Sequence, residues 1–246
     1  MSTPNIDAPI PWLTTEQMVE VDRAMIEDLH IELTQMMENA GRSLAHLARE
    51  RFLGGDPRDK MVVVMAGSGG NGGGALVCAR RLHTWGAKVE VFITRPEGDF
   101  APTPAHQLDI LHRMRIPVAP AEAVHQAPTA DLVIDGVIGY SLDGAPQGGA
   151  GVLIRWANEQ GAPVLALDTP SGIDTTTGTV YDPAIRATAT MTLAMPKEGL
   201  RADGVTELVG ELYLADIGVP PSLYSGGGLG FEVGPVFAIG DIVRLA

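Results

Sequence analysis

Apolar residues near the start of the chain recur every three or four positions. Met18, Val21, Met25 and Leu29 follow this period, and so do Met37, Ala40, Leu44 and Leu47 within a stretch from Leu33 to Phe52. The spacing predicts two helices. Thr14 and Gln17 form a capping box before the first, and Gly54, Gly55 and Pro57 end the second. Residues 1–11 are polar and broken by prolines, and read as a flexible tail. At residue 61 the pattern changes. Met61–Met65 is a short apolar run rich in valine, as expected of a strand buried on both faces. Further strands are predicted at Val89–Ile93, Leu132–Ile134, Val164–Leu167, Thr188–Leu193 and Leu212–Asp216, the last of the chain. Helices are predicted over 75–85, 104–114 and 152–159. The repeated order of strand, loop and helix predicts an α/β fold with a parallel sheet and helices on both faces. No linker divides the chain, so residues 1–246 are expected to form one domain.

Composition narrows the function classes. With 17 basic and 30 acidic residues the net charge is −13, which disfavours nucleic acid and anionic membrane surfaces as partners. Cys78 is the single cysteine, so an intramolecular disulfide and a multi-thiolate zinc site are excluded. The early residues lack an apolar signal segment, and a cytoplasmic setting is expected. The six histidines are scattered without metal-ligand spacing.

The chemistry is expected where strands end, since open parallel sheets bind ligands beyond their carboxyl edges. Three loops qualify. Gly67-Ser68-Gly69-Gly70-Asn71-Gly72-Gly73-Gly74 separates a strand from a helix. It can bring backbone amides close to a phosphate at a helix N-terminus, or serve only as a flexible turn. It lacks a P-loop lysine. Asp135, at the start of Asp135-Gly136-Val137-Ile138-Gly139-Tyr140-Ser141, can bind a cation or a ribose hydroxyl, or cap loop amides. Asp168-Thr169-Pro170-Ser171-Gly172-Ile173-Asp174 offers two carboxylates and a hydroxyl for acid/base or ion chemistry, or a turn held by its own side chains. Lys197, after Pro196, is the best-placed cation near a strand end and could equally be a solvated lysine. Glu97 sits in a loop after the second strand, so a dehydrogenase lacks a clear acidic ribose partner.

These motifs together resemble the NAD(P)H-hydrate epimerase family over nearly the whole chain. Thr14–Met18 and Met37–Gly41 resemble its opening helices. Residues 67–75 resemble its G-x-G-N-N-G-G-D-G loop, and Asp131–Asp135 its second site loop. Leu167–Asp174 with Thr177-Gly178 matches its most specific signature, and Met195-Pro196-Lys197 and Ala215–Pro220 also fit. The resemblance implies a Rossmann-like three-layer αβα sandwich, usually dimeric. It implies an isomerase that interconverts the R and S forms of NADHX and NADPHX, nicotinamide cofactors hydrated at C6, as metabolite repair. It also implies a potassium ion held by Asn71, Asp135 and Ser171, and Asp168 as the catalytic residue at the reacting ring. Substrate contacts would come from Gly70, Asn71, Gly72, Gly73 and Gly74, and from Gly139, Tyr140, Ser141, Leu142, Asp143, Gly144 and Ala145. Dehydration of the hydrate would fall to a separate dehydratase. Two positions depart from the family pattern: Gly70 stands where it has asparagine and Gly74 where it has aspartate. The competing reading is therefore a catalytically impaired, nucleotide-binding relative.

Overall fold

The computed structural model describes residues 3–6, 9–226 and 229–245. The chain opens with β1 (Asn5–Ile6) and α1 (Thr15–Arg23), which a π-helical turn prolongs over Ala24–Asp28. A second such turn, Ala48–Phe52, prolongs α2 (Leu33–Leu47). The alternating part runs β2 (Met61–Ala66), α3 (Gly70–Thr84), β3 (Lys88–Ile93), α4 (Pro102–Arg113), β4 (Val118–Pro120), β5 (Leu132–Gly136), α5 (Gly148–Glu159) and β6 (Val164–Leu167). Then come β7 (Ala189–Leu193), α6 (Thr206–Val209), β8 (Glu211–Ala215), α7 (Pro221–Ser225) and β9 (Ile242–Leu245).

Among the described residues, one sheet holds all nine strands in the order β1-β9-β8-β7-β6-β5-β2-β3-β4, with every pair parallel except β8–β9. Alternate residues of the central strands supply two cores. Val62, Val64, Leu132, Ile134, Leu165 and Leu167 pack beneath α2, α3 and α4. Val63, Met65, Val133, Val164 and Ala166 pack beneath α5 on the other face. Both faces are covered, giving the expected three-layer sandwich with two helices ahead of it.

The differences from the predicted elements have local causes. Of the tail expected over 1–11, Asn5–Ile6 pairs parallel with β9; residues 1, 2, 7 and 8 lie outside the described residues. Leu212–Asp216 was expected to be the last strand, but β8 is followed by β9, only four residues long. Helix α3 starts five residues before the predicted Ala75. At three of its opening glycines, Gly72, Gly73 and Gly74, the packing leaves no room for side chains. A Cβ on Gly72 would lie 1.8 Å from the Gly67 carbonyl oxygen, and one on Gly73 2.4 Å from Met37 Sδ. Gly41 of α2 has the same tightness, its Cβ falling 2.5 Å from the Gly74 carbonyl oxygen. Helices α2 and α3 therefore cross at backbone distance, and the start of α3 is set close above the sheet edge.

Candidate active site

A cavity of about 850 Å³ opens at the carboxyl edge of the sheet, between α1, α2 and the loops after β2, β3, β5 and β6. Its wall includes Gly70, Asn71, Gly72 and Gly74, the whole loop Gly139, Tyr140, Ser141, Leu142, Asp143, Gly144 and Ala145, and Asp168. Gly73 is the exception among the expected contacts, since it faces Met37 and Pro104. The glycine loop divides into two kinds of residue. Gly67 and Gly72 are confined by backbone, whereas Gly69 and Gly70 have nothing within 4 Å of a Cβ. Among the described residues the amides of Gly70, Asn71 and Gly72 have no backbone partner, the Gly73 amide being the first to close on the helix. A helix N-terminus with free amides at a cavity wall favours an anion.

Asp168 stands at the end of β6, with its backbone amide bonded to the Met191 carbonyl at 2.8 Å. It is buried and carries a left-handed φ of +67°. The Thr169 amide reaches back to the Leu167 carbonyl at 2.9 Å, so Asp168 is the centre of a three-residue turn. The neighbouring strand β7 ends the same way. Ala194 has φ +62°, and the Met195 amide bonds the Leu193 carbonyl at 2.7 Å. Each such residue costs of order 1–3 kcal/mol, a strain typical of functional sites. The two turns bring Asp168 to Lys197. Lys197 is fully buried and its ammonium donates to Asp168 Oδ1, to Thr192 Oγ1 at 3.2 Å and to the Leu193 carbonyl at 2.8 Å. Asp168 Oδ1 also accepts from Thr192 Oγ1 and the Leu193 amide, each at 3.3 Å. Among the described residues Asp168 Oδ2 accepts no hydrogen bond, and the residue lines the cavity. One carboxylate oxygen is thus anchored and the other is available.

Lys197 is no solvated lysine. The segment before α1 covers it: the Leu13 amide bonds the Pro196 carbonyl at 2.8 Å and the Glu198 amide bonds the Leu13 carbonyl at 3.0 Å. A further site residue, Asp22, was missed by sequence reasoning. It projects from α1 into the cavity wall and accepts a hydrogen bond from the Tyr140 hydroxyl. Burial holds the Asp22 carboxyl above its ordinary range, against the Tyr140 bond, which acts to lower it. The available signal was weak: a polar residue next to Val21 on an amphipathic helix.

Asp135 and Ser171 lie beneath the cavity floor, both fully buried. Asp135 accepts from the Ser171 hydroxyl at 2.7 Å, the Ser171 amide at 2.8 Å and the Val137 amide at 3.1 Å. Burial pushes its carboxyl up to about 6 despite these three bonds. Asn71 donates from Nδ2 to the Leu167 carbonyl at 3.0 Å. A Cβ on Gly139 would lie 3.3 Å from Asn71 Oδ1, so this oxygen faces the loop that carries Ile138, whose carbonyl meets Ser171 Oγ at 3.2 Å. Among the described residues no cluster of three or more His, Cys, Asp or Glu is placed to hold a metal. The gathered donors are instead all oxygens with a single carboxylate, a set that suits a hard, weakly charged cation and not zinc or iron. Asp174, the second carboxylate of the loop, does not join the site. It takes the Thr176 and Thr177 amides at 2.9 and 2.7 Å and closes its own turn. Cys78 is buried in the core, and burial pushes its thiol up, so it is no nucleophile.

The family model of the YjeF-related protein N-terminus matches residues 33–199, which span α2, the glycine loop, Asp135, Asp168 and Lys197. The chain belongs to this family. Among curated members, an NAD(P)H-hydrate epimerase of Dehalogenimonas lykanthroporepellens is 40% identical over 95% of this chain and 92% of its own length. The bifunctional NAD(P)H-hydrate repair enzyme Nnr of Salinibacter ruber is 34% identical over 86% of this chain, but only 41% of that enzyme is covered. In fold, the chain is similar to the crystal structure of yeast ynu0, which superposes with a TM-score of 0.79 at 23% identity, over 96% of this chain and all of that one. No helix among the described residues is long and apolar enough to cross a membrane.

Proposed function

We propose that the chain is an NAD(P)H-hydrate epimerase, interconverting the R and S forms of NADHX or NADPHX. The observation that supports this most directly is Asp168: a buried carboxylate with one oxygen fixed by Lys197, Thr192 and the Leu193 amide, and the other facing a cavity of about 850 Å³. The cavity is large enough for a dinucleotide. The free amides at the start of α3 suit its pyrophosphate.

Epimerisation at C6 requires the carbon to lose its configuration. In the proposed route, Asp168, a carboxylate paired with Lys197 at rest, takes a proton from water at its free Oδ2 and passes it to the C6 hydroxyl. The C6–O bond breaks, water leaves, and the ring nitrogen lone pair forms a C6–N iminium. Water then adds to the opposite face, and its surplus proton returns through Asp168 to solvent, so the residue ends as it began. Lys197 keeps the carboxylate in place and balances its charge while the ring is cationic. Asp22 and Tyr140 close the wall beside it, and Met18, Met36 and Met37 restrict water.

A potassium ion fits the oxygen set of Asn71, Asp135 and Ser171. When bound, it would offset the buried Asp135 charge and tie the loops after β2, β5 and β6 together. A homodimer belongs to the same reading, and the bifunctional relatives, which join two activities in one name, support a separate dehydratase that consumes the S hydrate.

The test couples purified protein to an S-specific dehydratase and supplies mixed hydrates. Faster disappearance of the R form is expected, and about a thousandfold loss of that rate in Asp168→Asn, with the fold retained by circular dichroism. Full turnover by Asp168→Asn removes the assigned role. No turnover by the wild-type protein, with nucleotide still bound, replaces the epimerase by a binding relative.

A further inference from the structure

We propose that Arg95 recognises a phosphate on the adenosine ribose, so that this cavity favours NADPHX over NADHX. The inference rests on the epimerase reading for its substrate, but its evidence lies at the other end of the site. Five charged residues line the cavity: Asp22, Arg95, Asp143, Asp168 and Lys197. Lys197 is committed to Asp168, Thr192 and the Leu193 carbonyl. Arg95 is exposed and, among the described residues, makes no ion pair or side-chain hydrogen bond. It is thus, among the described residues, the one uncommitted cation of the cavity, on a chain of net charge −13.

Its place in the topology specifies which part of a dinucleotide it meets. Arg95 follows Thr94, whose amide bonds the Ala66 carbonyl at 3.1 Å, so it flanks the turn after β2. In a β-α-β unit that binds a dinucleotide, the residue at the end of the second strand faces the adenosine ribose. An acidic residue there accepts from the 2′-hydroxyl, and an arginine accommodates a 2′-phosphate. Here the nearby acid is withdrawn, since Glu97 Oε1 pairs with His112 Nε2 at 3.0 Å on α4. The distances also fit an extended ligand. Strands β3 and β6 are three positions apart in the sheet, about 14 Å at the usual spacing. The start of α3 lies between them, as the pyrophosphate lies between ribose and reacting ring.

Calorimetry with adenosine 2′,5′-bisphosphate and 5′-AMP tests the site without turnover. At low ionic strength the wild-type protein is expected to bind the bisphosphate about tenfold or more tightly than AMP, and Arg95→Ala to erase that difference. In the coupled assay, the ratio of kcat/KM for NADPHX to that for NADHX is expected to fall about tenfold in Arg95→Ala, through KM. Arg95→Lys should keep part of the preference as a point charge. Equal binding of the two nucleotides by the wild-type protein overturns the proposal, as does a preference that survives Arg95→Ala. If hydrates are turned over with no such preference, the epimerase stands and the phosphate site falls. If neither hydrate is turned over but the bisphosphate preference depends on Arg95, the reverse holds.

Discussion

The two ends of the cavity are built by opposite means. At the ends of β6 and β7, side chains fill the space: Asp168, Thr192 and Lys197 are buried and bonded to one another, and the backbone is strained to bring them together. At the end of β2, side chains are missing. Gly67 and Gly72 press backbone on backbone, and Gly69 and Gly70 leave an open wall. On the proposed function, the comparison teaches that a reacting end needs fixed groups, while a binding end needs access to amides. Substitutions should therefore act differently at the two ends.

The largest effect is expected at the filled end. Lys197→Met leaves a buried carboxylate without its cation and should cost about 3–5 kcal/mol, read from urea denaturation. Asp168→Asn should cost less, because the ammonium keeps Thr192 Oγ1 and the Leu193 carbonyl and an amide oxygen can still accept. Equal losses would mean that the pair is not the organising contact. The confined part of the glycine turn comes next. Gly72→Ala forces a Cβ against a carbonyl oxygen and should cost about 3 kcal/mol or more, whereas Gly69→Ala should stay within about 0.5 kcal/mol.

Gly70→Asn sharpens the contrast, since it restores the family pattern in open space. Stability should change by less than about 0.5 kcal/mol, and turnover should be kept. If Gly70→Asn instead raises turnover more than about tenfold, the wall at Gly70 limits the wild-type enzyme. Gly74 is a different case. A Cβ there lies 2.8 Å from Leu167 Cδ2, so Leu167 fills the space that an aspartate would need.

The smallest effect separates Asp22 from the filled end. Its raised carboxyl favours the folded state in the protonated form. That contribution is complete below the ordinary carboxylate range and is lost as pH rises through the raised value. Asp22→Asn should therefore gain on the wild type as pH goes from 4 to 7, seen in urea midpoints at each pH. A difference that does not vary with pH would mean that Asp22 is not desolvated by the cavity wall.

What the sequence made legible follows from the same physics. Strands β2, β5 and β6 were readable because burial on both faces demands apolar runs, and β3 was readable despite its half-buried Glu90. Strand β4 was not, since Val118–Pro120 is only three residues long and none of them is buried. The start of α3 was hidden because glycine is a poor helix former, and close packing overrode propensity. Asp135, Asp168, Ser171 and Asn71 were marked by turn motifs. Lys197 and Asp22 owe their roles to contacts between distant segments, which no local pattern records.

Those distant contacts also set an order of assembly. The Thr15 hydroxyl meets the Thr175 hydroxyl at 2.8 Å, 160 positions along the chain, just where Leu13 seals Lys197. During synthesis α1 must wait until the β6–β7 region has emerged before it can dock, and contacts of such separation are among the slow ones to form. The sheet can gather strand by strand, but the corner that holds Asp168 and Lys197 closes only when the first helix returns. Appearance of activity would then time the last step of folding.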